Sequence, residues 1–580
     1  MDKLGSEGSR VYYLDECIFH RAMFSPPPLI DPSVIASLDS LPMETSMKRI
    51  ALLLAVVSLF GVLALADESH HHEDLTAEQL GTVHFPVSCT ASSQKAFERG
   101  VALLHSFWYE EAEKEFVQIS KDDTACVMAH WGVAMSLWHQ LWDHPKAATV
   151  KRGMAELKKA QSLHPATDRE RDYIAALRAF YRKKGDHEER AKAYSQAMEG
   201  VYQRYPSDRE AATFYALSLL ASESDGDTTF ANRKKAAAVL ETLFKEEPNH
   251  PGVAHYLIHS YDKPQLASLG LPAARSYAKI APAAPHALHM PSHIFARLGL
   301  WQDDIDSNLA SIAATRKTAA MHMGGESHQF HAMDFLVYAY LQSGREGDAQ
   351  RVIEEVKALP PMKDMYGEGY DPHAYALTKF PALYALELHH WTEAAALAPA
   401  PGADSGDKAI TYWARAIGTA RSGNAAEARK DIAELESLRQ EMLKNKKTSW
   451  AQVVEDAQKE AGAWVAHAEG KDEEAVRTLR AIAEEEESTG DEPEDIPARE
   501  MLADLLLETK HPDQALAEYE ADLKFNPNRF NGLYGAASAA EMSGKNEMAA
   551  GYYAQLVKSC AGSNSDRPEL GRAKALLAKN

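Results

Sequence analysis

The chain has 580 residues, 45% of them hydrophobic, with 84 Asp and Glu against 62 Lys and Arg and a formal net charge of −22. That length suits several domains or one long array. So acidic a surface repels nucleic-acid phosphates and anionic headgroups, which argues against a nucleic-acid partner.

The first segment with a clear pattern begins at Met47, MKRIALLLAVVSLFGVLALA. Lys48 and Arg49 precede an apolar run, and Ala64-Leu65-Ala66 supplies a small-x-small cleavage site before Asp67. Basic end, short apolar centre and small-residue tail define a secretory leader at 47–66. Residues 1–46 hold Pro26-Pro27-Pro28 and no helical period, and they read as an upstream extension preceding the true start at Met47. No other stretch is apolar for the ~20 residues a span requires. The expectation is a periplasmic or secreted protein without a membrane span after cleavage. Residues 67–92 then form an N-terminal extension that carries the run His70-His71-His72.

Beyond the leader lie three cysteines, Cys89, Cys126 and Cys560. Three is too few for a disulfide-dense scaffold, but export permits one bridge. Cys89 stands just before one expected helix and Cys126 just after its antiparallel successor, so the two should be neighbours. Joining them closes a loop of about 36 residues, worth ~3–4 kcal/mol of chain entropy.

From residue 93 onward the pattern is repetitive. Ala503, Ala515, Tyr519 and Pro527 are spaced by 12, 4 and 8, and Ala537, Ala549 and Tyr553 repeat the frame 34 residues later. Small residues let the two helices of a hairpin approach closely, and the aromatic fills the gap to the next hairpin. Gly100, Ala112 and Phe116 keep the frame, as do Ala236, Leu240 and Pro248; Gly344, Ala349 and Pro361; and Ala463, Gly470, Ala475 and Leu479. Strand signals are nearly lacking, and the fold class is all-α, a solenoid of about eleven helix hairpins. A Pro/Gly-rich break at 398–407 divides an array at 93–397 from one at 408–580, whose last segment reads as a capping helix. The acidic stretch 484–495 reads as a solvated loop.

In such hairpins, positions 2, 5, 9, 12 and 13 of the first helix face the concave side. In the frame from Pro251 positions 5 and 9 are His255 and His259. In the frame from Pro285 positions 2, 5 and 9 are His286, His289 and His293. In the frame from Phe330 they are His331, Asp334 and Tyr338, with His328 just before. Three successive repeats thus aim imidazoles at one stretch of groove. Histidines at i and i+4 can share a metal ion, and neutral imidazole suits zinc, copper, nickel or iron. The same residues can equally serve polar contacts to a peptide or hydrogen bonds within the fold. Pro291 can start a helix and leave His286 and His289 in the loop before it. A second groove section is aromatic, with Trp131, Met135, Trp138 and His139 at positions 5, 9, 12 and 13, followed by Trp142, and with His105 and Trp108 in the preceding hairpin. Such side chains anchor apolar partner residues or pack hairpins together. HExxH, CxxCH, GxSxG and phosphate-binding loops are missing from the sequence, so no enzyme class is indicated.

These positions resemble the tetratricopeptide repeat over nearly all of 93–563. FPVSC, LLHSFWYEEAE, AHWGVAMSLWHQLW, HMPSHIFARLGLW and PNRFNGLYGAASAAE are similar to segments of exported bacterial repeat proteins. The resemblance implies an α-solenoid and a protein- or peptide-binding role, and no substrate. Three functions follow as expectations: a groove that docks a polypeptide through Trp131, Met135 and Trp138; a metal-binding protein or metal-dependent hydrolase centred on the histidines; and a self-assembling structural array.

Overall fold

The computed structural model describes residues 75–141, 145–224, 226–324, 326–362, 371–490 and 495–578. The expected upstream extension, the leader, His70-His71-His72 and Trp142 lie outside these residues.

Among the described residues every regular element is a helix, from Ala77–Leu80 to Pro568–Leu577. Each long helix packs on its predecessor and its successor, the order expected of stacked hairpins. Local chemistry sets many starts. Thr167 caps Asp168–Arg182 through Glu170 N, and Glu170 reaches back to the Thr167 amide. The small-residue positions are explained by contact. A Cβ on Gly132 would come within 2.3 Å of the Phe116 ring, and one on Gly535 within 2.2 Å of Tyr519.

The N-terminal extension belongs to this core. Phe85 is fully buried, with its ring 5.3 Å from Phe97, 5.6 Å from Trp131 and 4.9 Å from Tyr173. Cys89 is bonded to Cys126 at the base of the same hairpin, and Cys560 is a buried thiol. The segment 396–404 is non-helical, yet one apolar cluster running from Ala382 to Ala573 draws on both sides of it. The expected capping helix is Pro568–Leu577, with the segment before it tied to Glu346 through Ser565 and the Asp566 amide.

One expectation is corrected. The first part of the acidic stretch is not a loop, because the helix Asp472–Thr489 runs through it. Its end docks on a distant turn, where Lys263 Nζ donates to Gly490 O at 2.6 Å and Gln265 Nε2 to Glu487 O at 2.7 Å. The array therefore curls. Asn528 donates to Gly299 O, Trp301 Nε1 to Asn528 O, and Arg529 to the Tyr338 hydroxyl, across sequence separations of 191–229. At the other end, Trp108 Nε1 donates to Met323 O across 215 residues. The three histidine-bearing repeats sit where these returning contacts converge. No described helix is long and apolar enough to cross a membrane.

Candidate metal centre

Three helical segments carry the histidines. Pro251–Tyr261 starts with His250 as its side-chain cap and Pro251 at its first position, and it holds His255 and His259 one turn apart. Pro285–His289 and Pro291–Arg297 meet at Met290, whose backbone is itself helical. Pro291 opens the second segment, as the sequence suggested, but His286 and His289 are helical too and not part of a loop. The missing amide of Pro291 interrupts the hydrogen-bond ladder of what is otherwise one run. His328–Gln342 supplies His331 from its first turn.

The imidazoles meet as two triads. In the first, His255 Nε2 lies 3.0 Å from His259 Nε2 and 3.1 Å from His286 Nε2. In the second, His289 Nε2 lies 3.0 Å from His293 Nε2, and the donor atoms of His289, His293 and His331 all fall within 4.8 Å of one another. The triads adjoin, with ring centroids 6.4 Å apart for His259 and His293 and 6.1 Å for His286 and His289.

Hydrogen bonds on the opposite nitrogens fix the tautomers. His255 Nδ1 is 2.6 Å from the carbonyl of His105, which can only accept, so Nδ1 carries the proton and Nε2 a lone pair. His293 Nδ1 faces Asp262 Oδ2 at 2.8 Å, and the other Asp262 oxygen accepts from Arg297 Nε. His289 Nδ1 is 2.7 Å from Asn308 Oδ1; Asn308 Nδ2 donates to Asp304 Oδ1, so Oδ1 of Asn308 is an acceptor and His289 Nδ1 a donor. The Nε2 atoms of His289 and His293 therefore face each other as lone pairs. Lone pairs 3.0 Å apart repel unless a cation lies between them. A proton can bridge two nitrogens, but each triad converges three. Ligands at ~2.0–2.1 Å from a zinc-sized ion lie roughly 2.9 Å apart at a right angle and about 3.3 Å apart at the tetrahedral angle. The observed 3.0 and 3.1 Å fall inside that range.

Electrostatics keeps four of the ligands neutral, as metal binding requires. Burial pushes His255 down to about 3, and burial together with the neighbouring imidazoles holds His259, His286 and His289 well below the usual range. Burial would raise Asp262, but Arg297 and His293 hold it well below the ordinary carboxylate range. Phe107 floors the first triad, its ring 4.3 Å from His255 and 5.4 Å from His286. Phe335 stands 5.1 and 4.6 Å from His289 and His293. His331 is exposed and His259 partly so, which leaves the centre open on one side.

Other expected site residues fall elsewhere. Asp334 is buried one turn from His331 but turns away, bonded to the Tyr375 hydroxyl and paired with Lys379 at 3.2 Å, and it joins neither triad. His328 stands beside His286 with centroids 5.2 Å apart, and burial with the neighbouring His139 pushes it down to about 4. His139 is stacked on Tyr109 at 4.2 Å. The aromatic groove is corrected outright. Trp131, Met135 and Trp138 are at most 1% exposed and cannot anchor a partner. Trp138 stacks on Phe180 at 3.8 Å, and Trp131 packs among Phe85, Tyr173 and Phe214. Tyr338 is likewise buried under Arg529. Sequence reasoning missed Asp262, Arg297, Asn308 and the His105 carbonyl. The one available signal was Asp304, a charged residue where a repeat helix should be plain; burial holds its carboxyl well above the usual range, and it positions Asn308.

No family model matches the chain, and no curated protein does. Among solved structures, it is similar to a human IFIT1 dimer with PPP-AAAA at 12% identity, covering 79% of this chain and 95% of that one with a TM-score of 0.34. It is also similar to the Cut9–Hcn1 hetero-tetramer of APC/C, at 12% identity over 84% and 90% with a TM-score of 0.29. A third is Naa15/Naa10 bound to HypK-THB, at 12% identity over 84% and 91% with a TM-score of 0.22. The chain is an all-α solenoid of stacked helix pairs. Likeness at this level concerns helical repetition and says nothing of what this solenoid binds.

Proposed function

We propose that this solenoid binds two transition-metal ions, one in each three-histidine site, where three stacked repeats meet. The observation that carries the reading is the facing pair of His289 and His293, each with its far nitrogen committed as a donor. Orientation of a ligating imidazole by a carboxylate or carbonyl on its other nitrogen is the usual outer shell of a metal site, and three of the six rings have it. Three protein ligands with an open side suit binding of a small molecule at the metal more than a closed structural site.

Metal content after purification without a histidine tag tests this. The expected result is two equivalents of a divalent or monovalent transition ion, or uptake of two on addition to chelator-stripped protein. His259→Ala should lose one and His289→Ala the other, with helical content unchanged. Protein that takes up no metal while fully folded overturns the reading.

A leader cleaved after Ala66 would place this centre outside the cytoplasm, and the Cys89–Cys126 bond suits an oxidising compartment. An N-terminus beginning at Asp67 on secreted or periplasmic protein checks it; retention of 47–66 refutes it. A second reading, a scaffold for a polypeptide, is favoured by a different surface from the expected one. A cavity of about 590 Å³ lies between Leu383, Ile410, Trp413, Trp450 and Val453. Trp450 and Val453 are 52% and 59% exposed. Peptides selected on the immobilised protein should lose retention on Trp450→Ala, and retention that survives the change removes this surface from consideration.

A further inference from the structure

The two-metal reading leaves the ion and its ligand open, and the surroundings of the triads narrow both. All six donors are imidazoles, a ligand type that brings no negative charge to a metal. The nearest carboxylate, Asp262, has both oxygens committed, one to His293 and one to Arg297, and Asp334 is committed to Lys379 and Tyr375. Further charge around the centre comes in neutral pairs, Arg297 with Asp262, Arg233 with Glu223 at 2.8 Å and Lys379 with Asp334, so no carboxylate is left over to offset added positive charge. Arg233 also donates to the His259 carbonyl at 2.6 Å.

The free energy of burying an ion in a poorly polarisable site grows with the square of its charge, so a divalent ion costs about four times a monovalent one before ligation. Two divalent ions would bring four positive charges to a site whose anion is already neutralised by Arg297. Two monovalent ions bring half that. Among the metals that imidazole favours, copper is the one with a stable monovalent state, and three nitrogen donors satisfy it.

We propose, resting on the two-metal reading, that the triads hold a pair of cuprous ions whose ligand is dioxygen. The ligand is small and apolar, as the Phe107 and Phe335 walls require, and it enters past the exposed His331. Each copper gives one electron. Dioxygen takes both, its double bond becomes a single bond, and a peroxide dianion lies between two cupric ions. The centre carries a charge of two before the step and two after it, so a site that disfavours added charge does not oppose the transfer. Return of both electrons releases dioxygen again, and no proton is moved.

The test uses the full chain, stripped with chelator, loaded with cuprous ion under argon and then exposed to measured dioxygen. The expected result is two coppers per chain, one dioxygen taken up per two coppers, no cupric paramagnetic signal, and an intense near-ultraviolet band that disappears under vacuum. His255→Ala should keep one copper and take up no dioxygen, while retaining the wild-type helical content. Two coppers that oxidise to isolated, paramagnetic cupric ions overturn this inference and leave the two-metal reading standing. So does preferential filling by zinc at equal concentrations. A chain that holds no metal under any loading overturns both.

Discussion

Two buried histidine clusters lie next to each other in this molecule, and only one of them closes on itself. In the first, His105 and His250 flank Glu210, each with Nε2 2.9 Å from one carboxylate oxygen. The remaining nitrogens are also used: His105 Nδ1 pairs with the Tyr256 hydroxyl, and His250 Nδ1 accepts from the Val253 amide. Burial alone would raise Glu210, but the two imidazoles hold its carboxyl well below the usual range. In the second, the outer nitrogens of His255, His289 and His293 are anchored in the same way while the inner nitrogens of the rings point at each other. Both clusters are made of imidazoles set largely inside the array; what differs is whether an acceptor was provided for the inner proton. A histidine cluster built for the fold brings its own counter-group, and one built for a metal ion leaves the lone pairs converging.

The contrast can be broken most forcefully at Glu210. Glu210→Ala should destabilise the chain by about 3–5 kcal/mol in denaturant titrations, because two buried donors lose their acceptor. His289→Ala in metal-free protein should cost far less, since it removes a repulsive contact along with a packed ring. If the two variants are equally destabilised, the clusters do not differ in kind. Adding metal sharpens the comparison from the other side. Ions at a thousandfold excess over their dissociation constants should stabilise the wild type by about 8 kcal/mol, half of it from each site, and a His289→Ala, His293→Ala double variant by about half as much or less. Glu210→Gln should keep the whole response. Asn308→Ala tests the outer shell alone: ion affinity in the second triad should fall about ten- to a hundredfold, with the first triad unaffected, in a competitive chelator titration.

The smallest effect concerns pH. Glu111 is a buried carboxyl whose partner is Lys114, and burial pushes it up to about 7. A folded value above the unfolded 4.5 means that its contribution is complete below that pH and is lost as pH rises through 7. Glu210 has the opposite sign: its contribution is present above the unfolded carboxylate value and lost as pH falls below it. Glu111→Gln should therefore flatten stability between about pH 5 and pH 7, and Glu210→Gln should flatten it only on the acid side.

How far the sequence carried these conclusions depended on the range of the interactions involved. The hairpins were legible because Gly100, Ala112 and Phe116 meet within one repeat. The ligands were legible for the same reason, since i and i+4 on one helix is a local geometry that survives any tertiary arrangement. Asn308, Asp262 and the His105 carbonyl were not, for they reach the rings from other helices, up to 150 residues away. Trp131 and Trp138 were misread by treating the concave positions of every repeat as open to solvent. Here the extension carrying Phe85 covers Trp131, and Phe180 and Tyr194 enclose Trp138.

The turn at Phe107–Trp108 connects these halves in an unusual way. Phe107 has a backbone φ of +52°, a conformation an L side chain rarely adopts, and there its ring forms the floor under His255 and His286. The earliest hairpin of the array thus waits for a surface made some 150 residues later before its own tip is supported. During synthesis that tip must emerge, stay uncovered, and be caught when the first two histidine-bearing repeats arrive. Assembly of the pocket and completion of the first hairpin then become one event, and a chain stopped short of His255 should hold neither.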